Sequence, residues 1–180
     1  MQSFRIDELE ALASQGVHKA ETLLGIAYFC GTGTDADYAI SRGYFESAAA
    51  GGESEPLVYL AWMNCLGMGG ECDMAKAEEL LRGSIEAADS GDCNVQYALG
   101  MAYYLGGVPG GRDLPKSSYY LERAAMNDHR DAQCFLASMY LRGDGVPCDP
   151  AKARFLLERA AGNGSAEAAA MLRAQASEEA

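Results

Sequence analysis

Residues 136–164 read LASMYLRGDGVPCDPAKARFLLERAAGNG. Two runs whose apolar residues recur at helical spacing flank a loop holding Gly143, Gly145 and Pro147. Glycine adopts the left-handed turn that stops a helix, and an aspartate suits the N-cap of the next one. Pro150 follows Asp149 at a first helical position, where a missing N–H loses no hydrogen bond. The stretch predicts helix, loop and helix, ended by the glycine-bearing AAGNG.

The same phrase recurs along the chain. AAGNG at 160–164 is matched by AAAGG at 48–52, AADSG at 87–91 and AAMND at 124–128. Twelve residues beyond the first alanine of each pair stands a leucine, giving Leu60, Leu99, Leu136 and Leu172, with Leu24 in the same register after LASQG at 12–16. These leucines lie 36, 39, 37 and 36 residues apart. Four residues after the first four come Tyr28, Asn64, Tyr103 and Tyr140, and three further on Gly31, Gly67, Gly106 and Gly143. An aspartate then returns after each loop: Asp37, Asp73, Asp113 and Asp149. The second copy carries three extra residues around RGSIE, which predicts a longer second helix or a bulge, and the third has one extra in its loop, GGVPGG. A period of this length marks a tandem array of two-helix units, each burying its apolar face on its neighbours.

The frame Ala-x-x-x-Leu-Gly-x-x-Tyr-x-x-Gly-x-Gly, then Asp-x-x-Lys-Ala and Ala-Ala-x-x-Gly, resembles the Sel-1-like repeat, a relative of the tetratricopeptide repeat. The copy at 132–164 follows it closely; the first has Ile40 in place of the lysine, the second Asn64 in place of the tyrosine, and the third lacks the second turn glycine. The resemblance implies an all-α right-handed solenoid of antiparallel helix pairs. Its expected parts are a leading half-repeat at 1–16, repeats at 17–52, 53–91, 92–128 and 129–164, and a capping helix with tail at 165–180. The Gly-Asp-Gly loop is expected to turn the chain, since no Gly-Lys-Ser/Thr follows to cradle a phosphate.

Composition narrows the function. The 180 residues hold 14 Lys and Arg against 26 Asp and Glu, a net charge of −12. Such a surface repels nucleic-acid backbones and anionic lipid, and favours a basic partner or plain solubility. No apolar run approaches the roughly 18 residues of a membrane span. The N-terminus MQSFRIDELEALASQG is too charged for a signal peptide, so a cytoplasmic location is expected. Six scattered cysteines without Cys-x-x-Cys spacing predict free thiols and no zinc site. In secreted relatives a cysteine inside the alanine pair staples neighbouring helices; here those positions are alanine. Ser-x-x-Lys is absent, and His18 and His129 are far apart and near turns, where a surface role is expected. No enzyme, cofactor or metal is expected.

In similar families the first helices line a concave face. With the leucine frame buried, the opposite stripe falls at offsets −2, +2 and +5: Thr22, Ile26, Phe29; Val58, Trp62, Cys65; Tyr97, Met101, Tyr104; Cys134, Ser138, Leu141. All but Thr22 and Ser138 are apolar, aromatic or thiol. Ile26, Phe29, Trp62, Tyr97, Met101, Tyr104 and Leu141 are therefore the expected contacts for a partner protein's peptide, helix or domain edge, as in an adaptor or scaffold. A dedicated inhibitor of one enzyme or toxin is the alternative. A monomer is expected, with end-to-end stacking through the terminal helices as the route to self-association. The second helices carry much of the charge, with Glu46, Glu78, Glu79, Glu122, Arg123, Arg154, Glu158 and Arg159, and read as a solvated face without a site.

Overall fold

The computed structural model describes residues 5–178, with side-chain surroundings through residue 174. Residues 1–4 of the expected half-repeat and 179–180 of the expected tail lie outside the described residues. Among those described there are ten helices and no strand: α1 (Ile6–Ala13), α2 (His18–Cys30), α3 (Tyr38–Ala50), α4 (Glu55–Leu66), α5 (Met74–Asp89), α6 (Cys93–Leu105), α7 (Leu114–Met126), α8 (Arg130–Arg142), α9 (Pro150–Gly162) and α10 (Ala166–Glu178). The all-α helical-repeat class is the one observed. The chain divides into two compact units, Met1–Asp89 with Gly106–Gly111 and Ser90–Leu105 with Arg112–Ala180. In the first, α1 to α5 pack each on the next; in the second, α6 to α10 do so.

Each recurring aspartate works twice. Its carboxylate accepts backbone N–H groups at the start of the following helix: Asp37 from Ala39 and Ile40, Asp73 from Lys76, Asp113 from Lys116, Asp149 from Lys152. Its own N–H donates back across the loop to the first helix, from Asp37, Asp73, Asp113 and Asp149 to the carbonyls of Tyr28, Asn64, Tyr103 and Tyr140 at 2.9–3.0 Å. The loop is thereby closed at both ends, and an orphaned helix terminus is satisfied at each. The second copy's three extra residues lengthen α5 to 16 residues rather than forming a bulge.

The small residue after each frame leucine is a pad for the second helix. A Cβ on Gly25 would lie 2.5 Å from the Phe45 ring, and one on Gly100 2.6 Å from Leu121 Cγ. Phe45 and Leu121 are both fully buried. They stand eight residues after Asp37 and Asp113, so loop closure and helix packing share one register. Burying each such side chain contributes about 1.5–3 kcal/mol.

Side-chain ties 31 to 36 residues long join successive helix pairs within a unit. In the first unit Lys19 Nζ donates to Glu55 at 2.7 Å. In the second, Asn127 donates to Gln96 and Arg159 to Asp128. Asp128 is the one non-glycine with positive φ (61°) among the described residues, at the turn position that Gly52, Gly91 and Gly164 fill elsewhere. An aspartate tolerates that conformation better than most, and here its carboxylate also gathers Gln133 and Asn163.

The opening loop does more than turn the chain. Gly143 ends α8 in the left-handed conformation (φ 72°), and a Cβ there would meet only ordinary contacts at 3.7 Å. Gly145 (φ 73°) lies against the preceding repeat, where a Cβ would come within 2.5 Å of Leu114 Cβ. Gly69 in the first unit likewise abuts the Tyr38 carbonyl at the start of α3. The second turn glycine is a joint between one repeat's loop and the next-door second helix.

Candidate binding surface

The first unit gathers aromatic side chains around Phe29. Its ring lies 5.3 Å from Trp62, 5.5 Å from Tyr59 and 5.7 Å from Tyr38, all near edge-to-face. Phe45 stacks on Tyr59 at 4.7 Å beneath them. Such pairs each add about 0.5–1.5 kcal/mol beyond area burial. Ile26 packs with Phe29 on the cluster of Phe45, Leu60 and Met63. Trp62 is covered on one side by the backbone of Gly107, a buried residue of the loop that carries the third copy's extra residue.

In the second unit Tyr97 stacks on His129, with ring centroids 4.5 Å apart. Tyr104 donates its hydroxyl to Asp144 Oδ2 at 3.0 Å, meets Phe135 edge-on, and carries the Arg112 guanidinium 4.9 Å above its ring. Arg142 also donates to Asp144 at 3.0 Å. The Tyr104 hydroxyl and Arg142 hold the Asp144 carboxyl below its usual range. Leu141 packs on the core of this unit, and Met101 is half-buried.

All seven expected contact residues are half-buried, four in the second unit and three in the first. The stripe divides by offset. At −2, Thr22, Val58 and Cys134 are buried between helices and Tyr97 alone is half-open; at +2 and +5 every residue is half-open. The six cysteines are free thiols.

His129 is half-buried rather than freely exposed, and its ring has a structural role that a surface position does not suggest. Its Nδ1 accepts the Ala132 N–H at the start of α8, a role open only to the neutral ring. Burial pushes its pKa down, opposed by Asp131 and Asp92 and reinforced by Arg130. A depressed folded pKa means that the stabilisation is complete above the ordinary value of about 6.5 and fades as pH falls through the folded value. The second unit should therefore lose stability in acid below about pH 6.5, measured by urea unfolding across pH. His129→Asn, which keeps a capping side chain, should flatten that slope.

Two open cavities lie on second-helix faces, where the sequence predicts a solvated surface without a site. One, of about 280 Å³, has Lys152, Phe155, Leu156 and Arg159 of α9 as one wall. Glu122, Ala125 and Met126 of α7 form the other, with Leu136 and Tyr140 of α8 as the floor. The Tyr140 hydroxyl donates to Glu122 at 2.9 Å; burial, followed by that bond, pushes its pKa up to about 12. The other, of about 350 Å³ in the first unit, is lined by Ile40, Gly43, Tyr44 and Ser47, which occupy the same register after Asp37, together with Ala39 and Glu21. Lys152, Phe155, Leu156 and Arg159 fall at i, i+3, i+4 and i+7, so their common face was legible in KARFLLER. The opening beside them depends on the spacing of α7 and α9, which no local pattern states.

Charge also divides unevenly. The first unit holds five Lys and Arg against fifteen Asp and Glu, the second nine against eleven. No helix among the described residues is long and apolar enough to cross a membrane.

The Sel1 repeat pattern matches residues 18–53, 94–129 and 130–165. The interval 54–93 is filled by α4 and α5, the copy with Asn64 at the tyrosine position. Asn64 is buried and donates to the Leu60 carbonyl at 2.7 Å, so the position stays satisfied without a ring. The crystal structure of a Sel1 repeat protein from Oxalobacter formigenes is similar with a TM-score of 0.52 and 33% identity, over 94% of this chain and 48% of that one. A structure assigned as a sel1 repeat protein from Klebsiella pneumoniae subsp. pneumoniae has a TM-score of 0.53 and 26% identity, over 87% of this chain and 76% of that one. The chain thus spans about half the length of the first of these relatives. Sel1 repeats in general build protein-interaction scaffolds rather than catalytic sites. The chain belongs to the Sel1 repeat family.

Proposed function

We propose that this chain is a non-enzymatic interaction module, an adaptor or scaffold whose first helices hold a segment of a partner protein. The reading rests on one observation: apart from Cys65 and Ser138, the +2 and +5 positions of α2, α4, α6 and α8 keep apolar and aromatic side chains half-open, although the frame leucines Leu24, Leu60, Leu99 and Leu136 beside them are sealed. Ile26, Phe29 and Trp62 supply the contacts in the first unit, and Tyr97, Met101, Tyr104 and Leu141 in the second. Large, already ordered aromatic side chains lose little entropy on binding and dominate interface energies. The strongly acidic first unit favours a segment that carries basic residues.

Trp62 is the single tryptophan and reports directly on occupancy. Amphipathic peptides with basic flanks, titrated against the chain, should shift its emission and bind in the micromolar range. Read by polarisation of a fluorescein-labelled peptide, since Trp62→Ala removes the emission signal, Trp62→Ala and Met101→Glu should each weaken binding about tenfold or more while helical circular dichroism is retained. Binding indifferent to both substitutions, or none by any such peptide, would refute the reading.

A further inference from the structure

We propose that the groove between α7 and α9 of the second unit is a docking site for an acidic peptide segment that inserts one aromatic side chain. Its volume of about 280 Å³ falls just below the 300–1,000 Å³ of small-molecule pockets and suits a single large side chain. The walls that would grip it are ready-made and open to solvent. Phe155 on α9 is 59% exposed and Met126 on α7 is 66% exposed, each above the buried floor of Leu136 and Tyr140. Neither Met126 nor Phe155 is among the buried residues of its own helix, so most of each side chain is left open across the groove.

Charge selects the occupant. Lys152 and Arg159 bracket Phe155 and Leu156 along α9, one near each end of the cavity wall. Lys152 is held with its ammonium 5.2 Å over the Tyr140 ring, and Arg159 is fixed by Asp128. Glu122 lines the other wall, and it is already engaged by the Tyr140 hydroxyl, so the groove presents two cations against one occupied carboxylate. The cavity of the first unit, in the same register, is the built-in contrast. Ile40 and Ser47 stand where Lys152 and Arg159 do, and its one charged lining residue is Glu21. An acidic ligand is therefore matched to the second-unit groove and mismatched to its counterpart. The second unit itself is near charge balance, nine cationic against eleven anionic side chains, so it adds little repulsion of its own toward an acidic ligand. Asp149 and Asp128 touch the two cations from outside the groove, so attraction is moderate and the affinity micromolar.

The test uses the full chain and a short fluorescein-labelled peptide carrying one tryptophan flanked by aspartates, followed by fluorescence polarisation. Saturable micromolar binding is expected, weakened about tenfold or more by Phe155→Ser and by replacing the peptide tryptophan with serine. Lys152→Glu should weaken it about threefold and turn the preference toward a lysine-flanked peptide. Both positions are exposed, so helical circular dichroism should be unchanged. Trp62→Ala and Met101→Glu should leave this binding intact, which separates its failure from failure of the first-helix surface. Absence of saturation, indifference to both Phe155→Ser and Lys152→Glu, or equal affinity for the free tryptophan derivative N-acetyltryptophanamide would overturn the proposal.

Discussion

Replacing Phe45 by alanine should destabilise the first unit by about 3–5 kcal/mol, as for other fully buried phenylalanines. Phe45 is completely sealed, stacks on Tyr59, and lies 6.4 Å from Phe29, which in turn holds Trp62. Its loss opens a cavity against Gly25, whose missing side chain leaves nothing to collapse into the space. Urea unfolding followed by Trp62 emission reads the first unit directly, and the native emission should move to longer wavelength as the ring cluster loosens. A loss below about 1 kcal/mol would show that the pad and knob do not carry the packing assigned to them. The pairing makes a second statement. In the fourth repeat the same register holds Ala137 and Leu157, both buried. Gly25→Ala alone should overpack against Phe45 and cost about 1–3 kcal/mol. Gly25→Ala combined with Phe45→Leu recreates the fourth-repeat pair and should recover most of that loss, a coupling that a double-mutant cycle measures.

The fold was legible because its determinants are local and repeated. Asp37, Asp73, Asp113 and Asp149 announce each second helix by a capping preference that acts over three residues, and four occurrences in register leave little room for another topology. The small residue after each leucine was also visible, although what it accommodates was not. That Gly100 faces Leu121 depends on the distance between two helices, and sequence spacing alone fixes only the face. The candidate surface was legible by halves for the same reason. Helical periodicity places Phe29, Trp62 and Met101 on one stripe, yet the −2 residues Thr22, Val58 and Cys134 lie on that stripe too and are buried. Burial there is decided by the neighbouring helix, which periodicity within one helix does not see. His129 shows the same limit: nearness to a turn suggests solvent, whereas Tyr97 from the preceding first helix stacks on its ring and leaves it half-buried. The net charge of −12 concealed the largest asymmetry in the chain, because a sum over all residues erases the division between the two units.

Gly145→Ala should destabilise the second unit by about 2–4 kcal/mol, whereas Gly143→Ala two residues earlier should cost only about 1–2 kcal/mol. Both glycines have positive φ, 73° and 72°, so both substitutions meet the same intrinsic penalty for an L side chain. They differ in surroundings. A methyl on Gly143 has its nearest neighbours at 3.7 Å, a normal contact. A methyl on Gly145 would overlap Leu114 Cβ at 2.5 Å and press on the Leu114 carbonyl at 3.2 Å, where a backbone atom cannot rotate away. Relief requires the 143–149 loop to withdraw from the start of α7. That movement would carry Asp144 with it and break the hydrogen bond from Tyr104. The excess of Gly145→Ala over Gly143→Ala is therefore the energy of the joint between repeats, freed of the backbone term. Urea unfolding by circular dichroism gives both values, and equal losses would mean that the loop only turns the chain. Gly69→Ala extends the comparison to the first unit, where the obstacle is the Tyr38 carbonyl and the readout is Trp62. The third repeat has no glycine in this register; Val108 stands there, buried, in a loop one residue longer. An extra residue gives the backbone another route past its neighbour, and so the joint tolerates a side chain only where the loop has been lengthened to receive it.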